Sequence, residues 1–127
     1  MTTLEQVHSD TAPAAIGPYS QAIKSGSLVF LSGQIPLDPA SMEIVQGGVA
    51  EQTHQVFRNL IAVAEAAGGK LSNAVKLTIY VTDLGDFATV NEVMAGYFSE
   101  PYPARATIQV SALPKGSAVE IDAILSL

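Results

Sequence analysis

Apolar and polar positions alternate with two different periods along this chain. Residues 49–67 place Val49, Val56, Phe57, Leu60, Val63, Ala64 and Ala67 at helical spacing. Gly68-Gly69 then supplies a C-terminal stop. Residues 75–82 switch to period two, with Val75, Leu77, Ile79 and Val81 set against Lys76, Thr78, Tyr80 and Thr82, which predicts a half-buried strand. Asp86 is a plausible N-cap for a second helix, Phe87–Phe98, with Phe87, Val90, Met94, Tyr97 and Phe98 as its buried stripe. Alternation returns in residues 104–110, where Ala104, Ala106, Ile108 and Val110 oppose Arg105, Thr107 and Gln109. In the last strand, 118–126, Val119, Ile121, Ala123 and Leu125 share a face opposite Glu120 and Asp122.

The N-terminal third reads as a strand near Val7, an ordered loop over 11–19, and strands at Ser20–Lys24 and Leu28–Ser32. Ser25-Gly26-Ser27 is the hairpin turn between them. Residues 36–48, with Pro36, Pro39, Gly47 and Gly48, form a loop. The order is strand-strand-strand-helix-strand-helix-strand-strand. It predicts an α+β fold: right-handed crossovers onto one mixed sheet, with two helices packed on one face. The 127 residues suit a single domain.

Composition changes this picture in one respect. Charged residues make up 14% of the chain, against roughly 25% in ordinary soluble domains. A surface so poor in charge suggests that part of it is covered by other subunits. The net charge of -6, with four lysines and two arginines, provides no basic footprint for nucleic acid or acidic lipid. There is no cysteine, hence no disulfide framework, thiolate nucleophile or thiolate metal site. Residues 1–20 lack the charged and apolar regions of a secretory signal, and no apolar run is long enough for a bilayer. These readings point to the cytoplasm.

Among candidate groups, Arg105 stands out because it sits mid-strand among short polar residues. Its guanidinium either offers a planar fork for a carboxylate or pairs with an internal acid such as Glu120. Glu120 could accept a proton from an attacking water, or be an ordinary exposed strand residue. Asn91 edges into the buried stripe, where an amide needs partners. Tyr19 could donate its hydroxyl to a ligand or simply pack. Ser32-Gly33 permits close approach to backbone or marks a turn. Arg58 and His54 read as solvated or structural helix residues, and His8 and His54 show no metal-ligand spacing. No phosphate-binding loop, dinucleotide fingerprint, nucleophile elbow or zinc signature is present. Taken alone, these features stop at a small α+β oligomer with an anion-binding arginine.

Several blocks in order carry a resemblance from about Ala12 to Ile124. They are Ala14–Gln21, Ser32-Gly33-Gln34-Ile35-Pro36, Glu65-Ala66-Ala67-Gly68, Val81–Asn91, Pro103-Ala104-Arg105, Leu113-Pro114-Lys115 and Val119-Glu120-Ile121. The chain resembles the Rid (YjgF) family of imine/enamine deaminases, of the 2-iminobutanoate/2-iminopropanoate deaminase type. That resemblance implies a chorismate-mutase-like homotrimer, with sheets around a threefold axis and ligand clefts between subunits. It implies hydrolysis of reactive 2-imino or 2-enamino acids to 2-keto acids and ammonia, with no cofactor and no metal. By the same resemblance Arg105 grips the substrate carboxylate and Glu120 positions or activates water. Tyr19, Ser32, Gly33 and Asn91 shape the pocket. Thr107 replaces the cysteine common two residues after the arginine, and keeps a role that rests on its backbone. The segment Ser99–Tyr102 is short, which affects the cleft rim. The alternative is a non-catalytic regulatory trimer that binds small carboxylates, for which Glu120 would be dispensable. Nucleic-acid cleavage, reported for some relatives, is disfavoured by the acidic charge.

Overall fold

The computed structural model describes residues 3–127. Six strands, β1 (Leu4–Val7), β2 (Ala22–Ser25), β3 (Leu28–Gln34), β4 (Ala74–Val81), β5 (Ala104–Gln109) and β6 (Val119–Ser126), form one sheet in the order β1-β2-β3-β6-β4-β5. The last strand therefore lies inside the sheet, antiparallel to both β3 and β4. It follows that β3 and β4 run parallel with β6 between them. β4 and β5 are directly paired and parallel. The expected α+β architecture, a mixed sheet with two helices, is what the chain adopts.

Helix α1 (Val49–Ala66) begins where Glu51 reaches back to accept from the Gly48 amide at 2.9 Å. It ends as Gly68 takes a φ of +87°, a left-handed conformation that glycine adopts without penalty. Val56, Phe57, Leu60, Val63 and Ala64 are fully buried. They lie against the row Val29, Leu31, Leu77, Ile79, Val81, Val119, Ile121, Ala123 and Leu125 from the sheet. Helix α2 (Phe87–Ala95) adds Val90 and Met94 to this core. Just beyond its end, Tyr97 stacks on Phe57 at 4.8 Å and Phe98 meets the same ring edge-on at 5.9 Å.

Three local expectations change. Helix α2 stops at Ala95 rather than Phe98, although both aromatic residues still pack inward. Asp86 does not cap it, because a 3-10 turn, Leu84–Asp86, precedes the helix. The capping carboxylate is Asp83, whose Oδ1 accepts from the Gly85 amide at 2.8 Å. Val75 is 46% exposed rather than buried. A bulge between Ala74 and Lys76 shifts the register against β6 and turns it out.

The sheet face away from the helices carries Leu4, Leu28, Phe30 and Ile108, all exposed, beside the polar Lys76, Thr78, Glu120 and Asp122. Leu77 and Val75, on either side of the bulge's effect, give a direct check on it. Leu77→Ala, in the dry core, is expected to cost about 2–5 kcal/mol, whereas Val75→Ala should stay within about 1 kcal/mol. Chemical denaturation of the two variants reads the difference.

Candidate active site

Strand register separates the two charged candidates. Arg105 pairs with Leu77 on β4, and Glu120 pairs with Tyr80 on the same strand. Leu77 and Tyr80 are three residues apart, so their side chains point to opposite faces. Arg105 consequently lies on the helix side of the sheet and Glu120 on the open side, with β4 between their strands. No ion pair forms between them. Among the described residues Arg105 has no carboxylate within salt-bridge distance.

Arg105 projects past the edge of the core toward α2. Its Nη1 donates to Asn91 Oδ1 at 2.5 Å and approaches Met94 Sδ at 3.6 Å. Its guanidinium carbon sits 5.2 Å from the centre of the Phe87 ring. Asn91 is exposed rather than part of the buried stripe, and its partner is the arginine. The guanidinium thus has an aromatic support and an amide that fixes its plane, while its charge remains uncompensated. A cleft of about 340 Å³ opens beside it, lined by Asn91, Met94, Ala95, Tyr102, Pro103 and Arg105.

Thr107 stands in the same row of β5. Its Oγ1 is buried without a hydrogen-bond partner. The Val110 amide donates to Val81 at 2.8 Å, which turns even-numbered residues of β5 toward β4. By alternation, the amides of Arg105 and Thr107 face the free edge of the sheet, on the strand that carries the guanidinium.

Glu120 belongs to a second cavity of about 290 Å³ together with Tyr19, Gly33, Gln21, Ile35 and Met42. Two devices make room for it. β3 carries an extra residue between Leu31 and Gln34, so Ser32-Gly33 lies in a bulge rather than at a strand end. A Cβ at Gly33 would collide with the Glu120 carboxylate. Ser32 supports the bulge from behind, with Oγ donating to the Ser20 carbonyl at 2.6 Å and its amide donating to Gln21 at 3.0 Å. Tyr19, 51% exposed, is turned into the cavity by a tight turn in which its amide donates to Gly17 at 2.8 Å.

Burial pushes the Glu120 carboxyl above the ordinary carboxylate range, and the Asp122 charge on the same face adds to the effect. Asp122 itself accepts from the Tyr80 hydroxyl at 3.2 Å.

The cavity wall depends on residues that the sequence reading passed over. Asn59, 1% exposed, donates through Nδ2 to the Leu37 carbonyl at 3.0 Å and the Ile35 carbonyl at 3.3 Å. Its Oδ1 accepts from Gln55 Nε2 at 2.9 Å. Gln52 Oε1 accepts from the Ala118 amide at 2.8 Å, two residues before Glu120. The signal was present: Gln52, Gln55 and Asn59 interrupt the apolar side of α1 at helical spacing. Across the cavity mouth, Met42 and Lys115 both adopt left-handed backbone, with φ of 60° and 57°. Lys115 Nζ donates to the Met42 carbonyl at 3.0 Å. Each such non-glycine residue costs about 1 kcal/mol or more.

The structure thus gathers Tyr19, Gly33 and Glu120 around one cavity, with Ser32 behind it. It gathers Asn91 and Arg105 around another, with Thr107 alongside. Arg58 donates weakly to Gln55 at 3.4 Å, and His54 hydrogen-bonds the Tyr97 hydroxyl at 2.8 Å, which is a structural role. Among the described residues no cluster of three His, Cys, Asp or Glu could hold a metal ion, and no helix is long and apolar enough to cross a membrane.

This sheet with its two helices occurs in a known family of proteins. The Endoribonuclease L-PSP family profile matches residues 9–126, and the chain belongs to that family, which is the Rid/YjgF group. It is 62% identical to protein DfrA of Myxococcus xanthus over 120 residues, covering 93% of this chain and 92% of that one. It is 50% identical over 113 residues to the 2-iminobutanoate/2-iminopropanoate deaminase of Homo sapiens, covering 89% and 82%. The crystal structure of RidA from an Antarctic Psychrobacter superposes with a TM-score of 0.93 at 52% identity, covering 97% of this chain and 99% of that one.

The raised pKa of Glu120 has a consequence for stability. A carboxyl that is harder to ionise when folded favours the folded state at low pH. That advantage is lost as pH rises through its folded pKa. Glu120→Gln is therefore expected to melt at a higher temperature than the parent at pH 7, with the gap closing as pH falls through the carboxylate range. Calorimetric melts across pH test this.

Proposed function

We propose that this protein hydrolyses reactive 2-imino and 2-enamino acids, of the 2-aminoacrylate and 2-iminobutanoate class, to 2-keto acids and ammonia. The site would be shared between copies of a homotrimer. The observation that carries the proposal is the placement of Arg105 and Glu120 on opposite faces of one sheet, each at an open cleft and neither neutralising the other. A substrate of a few atoms cannot touch both within one chain. Apposition of the Arg105 edge of one copy to the Glu120 cavity of the next resolves this. The exposed apolar side of the sheet, with Leu28, Phe30 and Ile108, offers the surface for such assembly. The deaminase name borne by relatives at about half identity supports the same reading.

The chemistry follows from the groups present. Arg105 and the outward-facing Thr107 amide hold the substrate carboxylate. The protonated imine carbon is already electrophilic. Glu120 orients a water and takes its proton as the new C–O bond forms, giving a carbinolamine. Glu120 returns the proton to the nitrogen, the C–N bond breaks, and loss of the hydroxyl proton leaves the keto acid and ammonia. Positioning and general base catalysis by Glu120, worth roughly 10²–10⁴-fold, suffice without a cofactor. The elevated carboxyl pKa suits this exchange, since a base nearer neutrality returns its proton more readily.

Loss of the carboxylate clamp in Arg105→Ala is expected to lower kcat/KM for imine decay by about ten- to a hundred-fold, from a charge-assisted bond worth about 1.5–3 kcal/mol. Glu120→Gln should retain keto-acid binding while losing turnover. Binding without turnover in the parent protein would instead indicate a regulatory carboxylate binder. The shared site has its own test. Arg105→Ala and Glu120→Gln chains, refolded together in equal amounts, should recover about one quarter of parental activity, because about that share of interfaces pairs an intact arginine with an intact glutamate. Mixtures as inactive as either variant alone would exclude the shared site.

A further inference from the structure

The cavity around Glu120 has two kinds of wall. Ile35 and Leu37 are fixed, because both their carbonyls are held by the buried Asn59 amide. Met42 is held differently. It sits on a turn closed by Asp38, whose carbonyl accepts from the Met42 amide at 2.8 Å and whose amide donates to Glu43 at 2.9 Å. The Asp38 carboxylate also caps the Ala40 and Ser41 amides at 2.8 and 3.0 Å. Within this turn Met42 adopts a left-handed backbone that disfavours a long side chain.

Met42 and Lys115 are the two non-glycine residues with positive φ among the described residues. They touch each other, although 73 residues separate them in sequence, and both line the Glu120 cavity. Strain concentrated in one contact at the edge of a pocket is the pattern expected when a conformation is retained for what it places there.

We infer that Met42, latched by Lys115, is the specificity-determining wall of this site and restricts it to 2-imino acids with short aliphatic side chains. This rests on the deaminase reading above. The imine carbon of a bound substrate lies at Glu120 and its carboxylate points to Arg105 of a second copy. The remaining substituent, the side chain, then falls among Ile35, Leu37 and Met42, whose surfaces suit an alkyl group and offer nothing to a charged one. Met42 bounds this space from a turn closed by Asp38 and tied to the opposite rim by one lysine hydrogen bond. A single methylene more or less in such a pocket changes discrimination by tenfold or more. Met42 therefore sets the size limit, and Lys115 acts as a positioning residue that holds it there.

The experiment compares imines generated by an amino-acid oxidase from L-alanine and L-leucine. It reads the ratio of their kcat/KM values in the parent, Met42→Gly and Lys115→Met. In parallel, calorimetry gives the ratio of affinities for pyruvate and 4-methyl-2-oxopentanoate. Met42→Gly suits the left-handed turn and should fold at least as stably as the parent. It is expected to shift both ratios at least fivefold toward the leucine-derived ligand. Lys115→Met, which keeps the stem and loses the donor, should shift them at least twofold in the same direction. Smaller shifts in Met42→Gly overturn the inference, and unshifted ratios in Lys115→Met overturn the latch. If the parent turns over no imine but the keto-acid ratio still shifts, the specificity assignment stands and the catalytic reading falls. If the parent neither turns over imines nor binds keto acids, both fall.

Discussion

The architecture depends on the antiparallel fit of β6 between β3 and β4. A strand in the interior of a sheet has its register fixed on both sides, and period two then assigns every side chain to a face. Val119, Ile121, Ala123 and Leu125 fill the core beneath α1. Burying those four leaves Glu120 and Asp122 on the opposite face with no freedom to exchange. A slip of one residue would bury two carboxylates and expose four apolar groups. The force that holds the core together therefore also delivers the carboxylate to its cavity.

The cavity in turn runs against stability in small, local ways. Glu120 is partly desolvated beside a second acid. Gly33 gives up a side chain in a strand so that the carboxylate has room. Met42 and Lys115 accept unfavourable backbone. These features lie around one opening, while the helix–sheet interface is mostly apolar and its buried Asn59 and Gln55 are hydrogen-bonded. Such a division, a well-satisfied core next to a locally frustrated rim, is the usual physical signature of a working site.

Much of this was legible in the sequence, and the failures have identifiable causes. Both helices and the strands β4 and β6 follow from periodicity, because each buries one apolar row. The β5 row misleads. Ala104, Ala106 and Ile108 read as inward-facing, yet they lie on the open side, while Arg105, Thr107 and Gln109 take the helix side. Of the two helices only α2 reaches that edge strand, through Phe87, Asn91 and Met94 at Arg105, so neither face is shielded enough to demand apolar residues. Val75 fits the alternation and is displaced by a bulge that no residue type announces. Asn91 was legible as an anomaly but not as a partner for Arg105, since that requires knowing where α2 lies over β5. The left-handed Met42 was invisible, because methionine carries no turn signal. That Arg105 and Glu120 face apart could not be read without the strand order.

Asn59 gives α1 a second task. By gripping two carbonyls of the segment after β3, it makes the helix and the cavity rim one mechanical body. A fluctuation that lifts α1 from the sheet must also release Ile35 and Leu37, and a distortion of the rim is transmitted back into the helix. Local unfolding here has no intermediate in which the scaffold loosens while the recognition surface keeps its shape.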